Sequence, residues 1–492
     1  MFASHVEQGG FYADDWSNAL FYRTLGYGDM AIDYWRDLTP WRPVLALLLP
    51  GPHALFGLNA TYHLVAALLL AILASLAFFV FLRALGIEFP HALALALLAL
   101  VFPWSDALRL WATASINNAA LIAYFLGSAA ALRALTLEPV HRNRRIAFHG
   151  LSAVLYIVSL LTYEVAAPAL LLSGPIYRAR VSWRSLRARW LLDASLVVVW
   201  LAVVIVPTSR ARDVGTWHDR AADIPDFVVQ GSSLFASTFL PREVSSAAVK
   251  LLALAAVGVV VGAALWRVRS GEEPELRKWL RRACASMFAV GLGYLMFLGY
   301  GLFPLSEGLE NRVNALAAFG FVATTYSVIV LSAVLVCGTR ARWAAAAIAT
   351  ATVLVGLGFI ERVRVDIAQY DASAEEQSDQ LETLRQLLPR LPRGSTIFTF
   401  GHPNVAARGV PIFGAPWVLT AAVDLLWNDP SLTAVPAEGK GVSCARDGAR
   451  VAGFDTGYVA RYGRMQFVDL SLARVRQIAS RQECLDALAL FR

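Results

Sequence analysis

The residues most suggestive of chemistry form an aromatic and acidic string near the start of the chain. It reads Phe11-Tyr12-Ala13-Asp14-Asp15-Trp16, then Asp29, Asp33, Trp35, Arg36 and Asp37, then Thr39-Pro40-Trp41-Arg42-Pro43. Adjacent carboxylates in an aromatic frame raise one another's pKa or share a cation, which suits a general base or a divalent-metal site. An acidic exposed loop is the plain alternative. A second group follows Pro103: Trp104, Ser105, Asp106, Arg109 and Trp111, with Thr113, Ser115, Asn117 and Asn118 at the head of an apolar run. So many polar residues there exceed what a lipid-facing helix tolerates, although a helix cap satisfied inside a bundle would also account for them. Tyr163-Glu164 closes another apolar run, where Glu164 is either paired or at the water boundary. Glu307, Glu310, Asn311, Arg312 and Asn314 separate two long apolar stretches. Arg312 is suited to binding a phosphate or to a structural ion pair with Glu310 or Glu307.

These groups must be positioned by a chain of unusual composition. Of its 492 residues, 57% are hydrophobic and 16% charged, against about 25% charged in a soluble protein. Such a chain needs lipid as solvent. A spanning helix takes roughly 20 apolar residues, and spans are predicted at 59–85, 113–135, 146–163, 190–207, 246–267, 283–304, 313–336 and 343–360. Two shorter runs flanked by proline, 90–103 and 165–177, read as broken helices sheltered inside the bundle. The run Val44–Leu58 holds Pro50, Gly51 and Pro52 and reads as a hairpin or interfacial segment.

The net charge of +7 raises the question of nucleic acid, which the placement of the basic residues answers. They fill loops at 142–145, 178–189, 267–282 and 340–342. With both short runs counted as spans, these loops share one side, cytoplasmic by the positive-inside rule, so the charge is topology and no nucleic-acid partner is expected. The other side receives 1–42, 104–112, 208–245, 305–312 and everything after 360. All the candidate residues fall there. The even number of spans puts both termini outside, so a first transmembrane helix is expected upstream of Met1. The expected division is a first extracytoplasmic loop at 1–42, a bundle of about ten helices at 43–360, and a soluble α/β domain at 361–492.

The last 130 or so residues suffice for one small domain. Thr396–Phe400 and Gln466–Leu470 read as strands, and Ala374–Leu391, Trp417–Trp427 and Leu472–Leu490 as helices. The four cysteines exclude a disulfide scaffold and show no zinc spacing. Cys444 and Cys484 are free to pair if their domain is extracytoplasmic. The fold class expected is thus mainly α: a polytopic transmembrane helical bundle with a small C-terminal α/β extracytoplasmic domain, in the inner membrane of the cell.

Carboxylates, arginines and Trp/Tyr planes gathered at one membrane face suit a site for a lipid phosphate and a sugar. Arginine forks onto phosphate oxygens, and carboxylates accept sugar hydroxyls or deprotonate an acceptor. Asp14-Asp15 in an external loop, Arg42-Pro43 opening the next apolar segment, and Tyr62-His63-Leu64-Val65 leading a long span resemble multi-pass GT-C type glycosyltransferases. The protein O-mannosyltransferase-like group is the most similar of these. Phe102-Pro103-Trp104-Ser105-Asp106-Ala107 followed by Trp111 is similar to that group's Pro, acidic residue and Trp segment, and Tyr163-Glu164 more loosely to an acidic element at the end of a later span. The resemblance covers roughly residues 11–360 and implies transfer of a sugar from a polyprenyl-phosphate carrier to an extracytoplasmic glycan, lipid or protein acceptor, usually with inversion. It makes Asp14 or Asp15 the base and Asp106 a second acidic residue aligning acceptor or donor. Arg42 and Arg109 fall to the donor phosphate, as does Arg312, placed more by chemistry than by motif. Glu164 and Glu310 are further substrate-binding candidates. A divalent cation is compatible with Asp14-Asp15, which alone does not distinguish ligand from base.

Two other classes fit a polytopic chain: a transporter or lipid-linked glycan flippase, and a non-catalytic scaffold. Transporters often carry internal repeats and midplane charges. Here no repeat is visible and the charges gather at one face, which favours a transferase.

Overall fold

The computed structural model describes residues 2–206, 217–240, 245–271, 273–338, 340–437, 441–451 and 459–491. The expected outer loop 208–245 therefore lies partly outside the described residues. Eight helices are long and apolar enough to cross a membrane: Ala60–Ala84, Ala112–Thr136, Arg142–Thr162, Trp183–Ile205, Ala247–Ser270, Pro274–Gly299, Ala317–Cys337 and Ala341–Leu387. They coincide with the eight long apolar runs of the sequence. Their outward faces carry exposed Leu, Val and Phe, for example Leu69, Ile72, Leu73 and Leu76 on one helix and Leu251, Leu252 and Val259 on another. Such faces are stable only against hydrocarbon.

The two proline-flanked runs form shorter pieces. The first is Phe89–Leu100, whose twelve residues rise only about 18 Å. It stops well short of the roughly 30 Å that a bilayer core requires. The polar turn after it is consequently sunk into protein, and every residue from Pro103 to Leu110 is buried. The second is split into Ala167–Leu171 and Ser173–Tyr177. The run after Arg42 is likewise two short helices, Pro43–Leu48 and Pro50–Phe56.

The basic loops at 142–145, 178–189 and 267–282 lie together at one end of the bundle. Glu88 binds Lys278 at 2.7 Å and Arg282 at 3.2 Å, and Arg189 donates to the His149 carbonyl at 3.0 Å. At the opposite end, the helix Asp14–Asp33 lies over the bundle. Tyr12 and His5, just ahead of it, meet Tyr370 and Asp371, with 2.6 Å between His5 and Asp371.

The last spanning helix does not stop at the bilayer. It runs without interruption over 47 residues, Ala341–Leu387, so that the stretch expected as a separate helix from Ala374 is its continuation. Beyond it a four-stranded sheet is ordered Thr433–Pro436, Thr396–Phe400, Met465–Asp469, Arg474–Ile478. The first three strands are parallel and the last antiparallel. The segment Leu472–Leu490, read from sequence as one helix, is instead this edge strand followed by the helix Arg481–Leu490. Val475 and Ile478 alternate too poorly with Arg474, Arg476 and Gln477 to mark a strand locally; pairing to Met465–Asp469 decides it. Cys484 and Leu488 pack on one face of the sheet, and Leu384, Val418, Leu419 and Ala422 on the other. Cys444 and Cys484 are joined in a disulfide.

Candidate functional site

The site begins at a sharp turn. Ala13 takes a positive φ of 44° and breaks the chain just before the helix Asp14–Asp33, on which the two successive aspartates point about 100° apart. Asp15 points inward. Its Oδ2 accepts the Tyr12 N–H at 3.0 Å, and its Oδ1 accepts the Thr113 N–H at 2.8 Å and hydroxyl at 2.5 Å. It is a buried strut between this turn and the head of the helix after Trp111. Burial pushes its pKa up to about 7, with the Thr113 and Tyr12 hydrogen bonds opposing and the Asp14 charge adding.

Asp14 faces a cavity of about 510 Å³, a size suited to a substrate. Asn18, Tyr34, Trp41, Arg42, Trp111, Tyr163, Glu164 and Arg312 line it as well, with Met296 and Phe297 from a spanning helix at its apolar side. The protein around Asp14 displaces enough water to raise its pKa above the ordinary carboxylate range. The Arg312 guanidinium and a hydrogen bond with Trp417 work against that rise. Asn18, one turn on, donates to the Thr113 hydroxyl at 2.8 Å and accepts from Tyr34, which fixes the wall beside Asp14.

The two arginines of the cavity differ. Arg42 forks onto Glu164 at 2.7 and 2.8 Å, and its guanidinium lies 4.3 Å from the Tyr163 ring centre. A bidentate pair on an aromatic plane holds that guanidinium rigid. Arg312 stands 5.1 Å over the Trp111 ring and reaches Glu310 only at 3.3 Å, on a carboxylate that is largely exposed. Its positive charge is therefore the less neutralised of the two.

Arg312 sits on the short helix Leu309–Asn314, which is sewn to the sunken turn at 103–107. Asn311 donates to Asp106 at 2.5 Å and accepts the Ala107 N–H at 3.0 Å. Asn314 donates to the Trp104 carbonyl at 2.5 Å and accepts the Tyr294 hydroxyl at 2.6 Å. Asp106 and Arg109 do not line the cavity; they lie behind its wall. Arg109 donates to the Phe102 carbonyl, and burial raises the pKa of Asp106 above the ordinary carboxylate range, with Asn311 and the Arg109 and Arg362 charges opposing. Arg362 holds Asp366 at 2.9 Å.

The sequence placed Asp14, Arg42, Glu164 and Arg312 on one side of the membrane, and the structure brings them around one cavity, with Glu310 flanking it. Three contributors were missed. Arg362 and Asp366 form an i,i+4 pair just past an apolar run, a signal that was legible. Trp417 gave none, since it reaches Asp14 from the C-terminal domain. That domain is docked by Arg23, which donates to Asn428 at 2.7 Å, by Trp16, which donates to Gln377 at 2.7 Å, and by the Leu309 N–H on the Gly409 carbonyl at 2.9 Å. Gly308 and Gly409 lie so close there that a Cβ on Gly308 would come within 2.2 Å of the Gly409 oxygen.

Among the described residues no three His, Cys, Asp or Glu side chains converge as a metal-ligand set. Asp14 and Asp15 do not fit the chelation of one cation, because both Asp15 oxygens are taken by Tyr12 and Thr113 and only Asp14 faces the cavity.

No family model and no curated protein sequence matches this chain. Among solved structures it is similar to the Archaeoglobus fulgidus oligosaccharyltransferase tethered with an acceptor peptide, at 13% identity and a TM-score of 0.38, over 80% of this chain and 58% of that one. It is also similar to ArnT from Cupriavidus metallidurans in the apo state, at 12% identity and a TM-score of 0.35, over 83% of this chain and 82% of that one. The chain thus spans less than two thirds of the oligosaccharyltransferase. Both likenesses are too distant to assign a family or an activity.

Proposed function

We propose that this protein is a membrane glycosyltransferase of GT-C type that moves a sugar from a polyprenyl-phosphate carrier to an extracytoplasmic acceptor, with Asp14 as the general base. The observation that carries the reading is the cavity that puts Asp14 opposite Arg312 and the Arg42–Glu164 pair, with Trp111 and Tyr163 planes beside them and an apolar wall at Met296 and Phe297. A lipid-borne phosphosugar has the matching parts: an apolar chain, an anion and a ring of hydroxyls.

In this reading the acceptor hydroxyl gives its proton to the Asp14 carboxylate as its oxygen forms the new bond to the anomeric carbon. The bond from that carbon to the phosphate oxygen breaks, and its electron pair leaves with the phosphate. Arg312 stabilises the charge that develops there, since its own compensation by Glu310 is loose. Glu164 keeps Arg42 aimed at the same place. The displacement occurs on one face and inverts the anomeric centre. The raised pKa of Asp14 suits a base, which takes a proton best when its pKa lies near the working pH. Asp15, Asp106 and Arg109 position the walls and do not touch substrate.

Orientation is part of the proposal. The basic loops at the far end suit the cytoplasm, and the Cys444–Cys484 disulfide suits an oxidising compartment for the outer domain. The decisive experiment incubates the purified protein with a set of labelled polyprenyl-phosphate sugars. Consumption of one of them, lost in Asp14→Asn, is the expected result. Movement of a lipid-linked sugar across proteoliposomes without consumption would establish a flippase instead, and full turnover by Asp14→Asn would remove the base.

A further inference from the structure

A second cavity lies at the other end of the bundle, and it has the character of a lipid site. The helix Pro274–Tyr300 passes both cavities: Met296 and Phe297 line the outer one, Lys278 and Arg282 the inner one. The 19 residues from Lys278 to Phe297 rise about 28 Å, close to one hydrocarbon thickness. The cationic mouth of the inner cavity is therefore about a bilayer from Phe297, while its apolar body runs along the same helix to Leu292, one turn short of Met296.

The inner cavity encloses about 460 Å³. Its body is apolar, with Phe78, Phe125 and Phe319 among its walls and Ala289 facing it from the helix that carries Lys278. Its mouth is cationic: Arg180, Lys278 and Arg282 line it, and among the described residues no carboxylate does. Glu88 and, at 3.4 Å, Glu275 reach Lys278 from outside the lining. Arg282 is further steadied by the Trp279 ring, 4.3 Å away. The turn before Glu88 is shaped for Arg180. Gly86 adopts a φ of 82°, and the Arg180 guanidinium occupies the place its Cβ would take, 2.5 Å from that position.

An apolar pocket behind a ring of cations is complementary to one chemistry, an anion carrying a hydrocarbon chain, and basic pockets between transmembrane helices on the cytoplasmic side bind anionic headgroups. We propose that this cavity holds an anionic glycerophospholipid of the leaflet on the basic-loop side, with its phosphate at Arg180, Lys278 and Arg282 and one acyl chain between the helices. The inference is independent of the glycosyltransferase reading. Only its distinction from a donor site rests on that reading, in which the donor phosphate belongs at Arg312, at the other end. The bound lipid fills space between the helices Ala60–Ala84, Asn117–Thr136, Pro274–Tyr300 and Ala317–Cys337, and by binding only the folded bundle it stabilises it.

The test uses the whole protein, stripped of lipid in a neutral detergent and titrated by native mass spectrometry. The probes are dioleoyl-phosphatidylglycerol, dioleoyl-phosphatidylcholine and a polyprenyl phosphate. Phosphatidylglycerol is expected to bind more tightly than phosphatidylcholine, and Arg180→Gln to cost roughly five-fold for phosphatidylglycerol alone. Ala289→Phe, which fills the cavity without touching its charges, is expected to weaken both phospholipids. Equal affinity for the two phospholipids, or phosphatidylglycerol binding indifferent to both variants, would overturn the proposal. So would a polyprenyl phosphate that binds more tightly than phosphatidylglycerol and is itself lost in Ala289→Phe, because the cavity would then belong to the carrier.

Discussion

The ionisable residues at the end of the bundle away from the basic loops fall into two populations, those on the cavity wall and those behind it. On the wall, Asp14, Arg42, Glu164 and Arg312 face a common space and pair loosely or through one bidentate contact. Behind it, Asp15 is held by the Tyr12 and Thr113 N–H groups, Asp106 by Asn311, Arg109 by the Phe102 carbonyl and Asp366 by Arg362, and none of them lines that space. The difference teaches that a polar residue in a membrane protein is informative about chemistry only when it faces a space that a substrate can enter. Asp14 and Asp15 make the point most sharply, since they are neighbours in the chain and opposite in role.

The sharpest way to break this comparison is to exchange the two aspartates as targets. Asp14→Asn should lower turnover by roughly 10²–10⁴-fold, the range for loss of a general base, with the thermal midpoint in detergent unchanged. Asp15→Ala should do the reverse first. It leaves the Tyr12 and Thr113 donors buried without an acceptor, at about 1–3 kcal/mol each, and so should lower the thermal midpoint before any activity is measured. If Asp15→Ala folds with an unchanged midpoint and loses turnover, the assignment of roles is inverted. Next in size, Arg312→Ala should cost about 10²-fold in donor kcat/KM, with Arg312→Lys recovering part of it. An equal loss from Arg109→Ala without destabilisation would place Arg109 on the wall after all.

Two pH measurements sharpen the comparison further. A base must be ionised, so activity should fall on acidification through the pKa of Asp14, at a pH above the ordinary carboxylate value near 3.9. Arg312 holds that pKa down, so Arg312→Ala should shift the acid limb of its residual activity to higher pH. An unmoved limb would detach Asp14 from the rate. The smallest effect concerns Asp15, whose folded pKa of about 7 exceeds that of the unfolded chain. Between the two values the folded protein binds the extra proton, so stability should decline as pH rises from about 4 to 7. Asp15→Asn should flatten that slope, as read from thermal midpoints across the range.

Much of the bundle was legible in the sequence because lipid imposes a simple rule, a run of about 20 apolar residues per crossing. The eight long helices follow it. So does the interruption at Pro103, where proline and a short helix mark the sunken turn that carries Asp106. That the candidate charges gather at the end of the bundle away from the basic loops was legible from the loop arginines. Which aspartate faces the cavity was not, because that depends on the positive φ at Ala13 and on Thr113, 98 residues away. The edge strand Arg474–Ile478 was read as helix for a similar reason: its state is set by a partner strand, and its own residues carry little pattern. Trp417 over Asp14 is a contact between domains, and no spacing within either one encodes it.

The unbroken helix Ala341–Leu387 has a mechanical consequence. At 1.5 Å per residue its 47 residues make a rod of about 70 Å, rooted among the spanning helices and ending beneath the sheet. A rod without a joint behaves as a ruler: it sets how high the sheet stands above the lipid and which edge it turns toward Asp14. One alanine inserted near residue 372 would lift the sheet by only about 1.5 Å but rotate it by about 100°. Where Trp417 meets Asp14 is thus governed by helical phase.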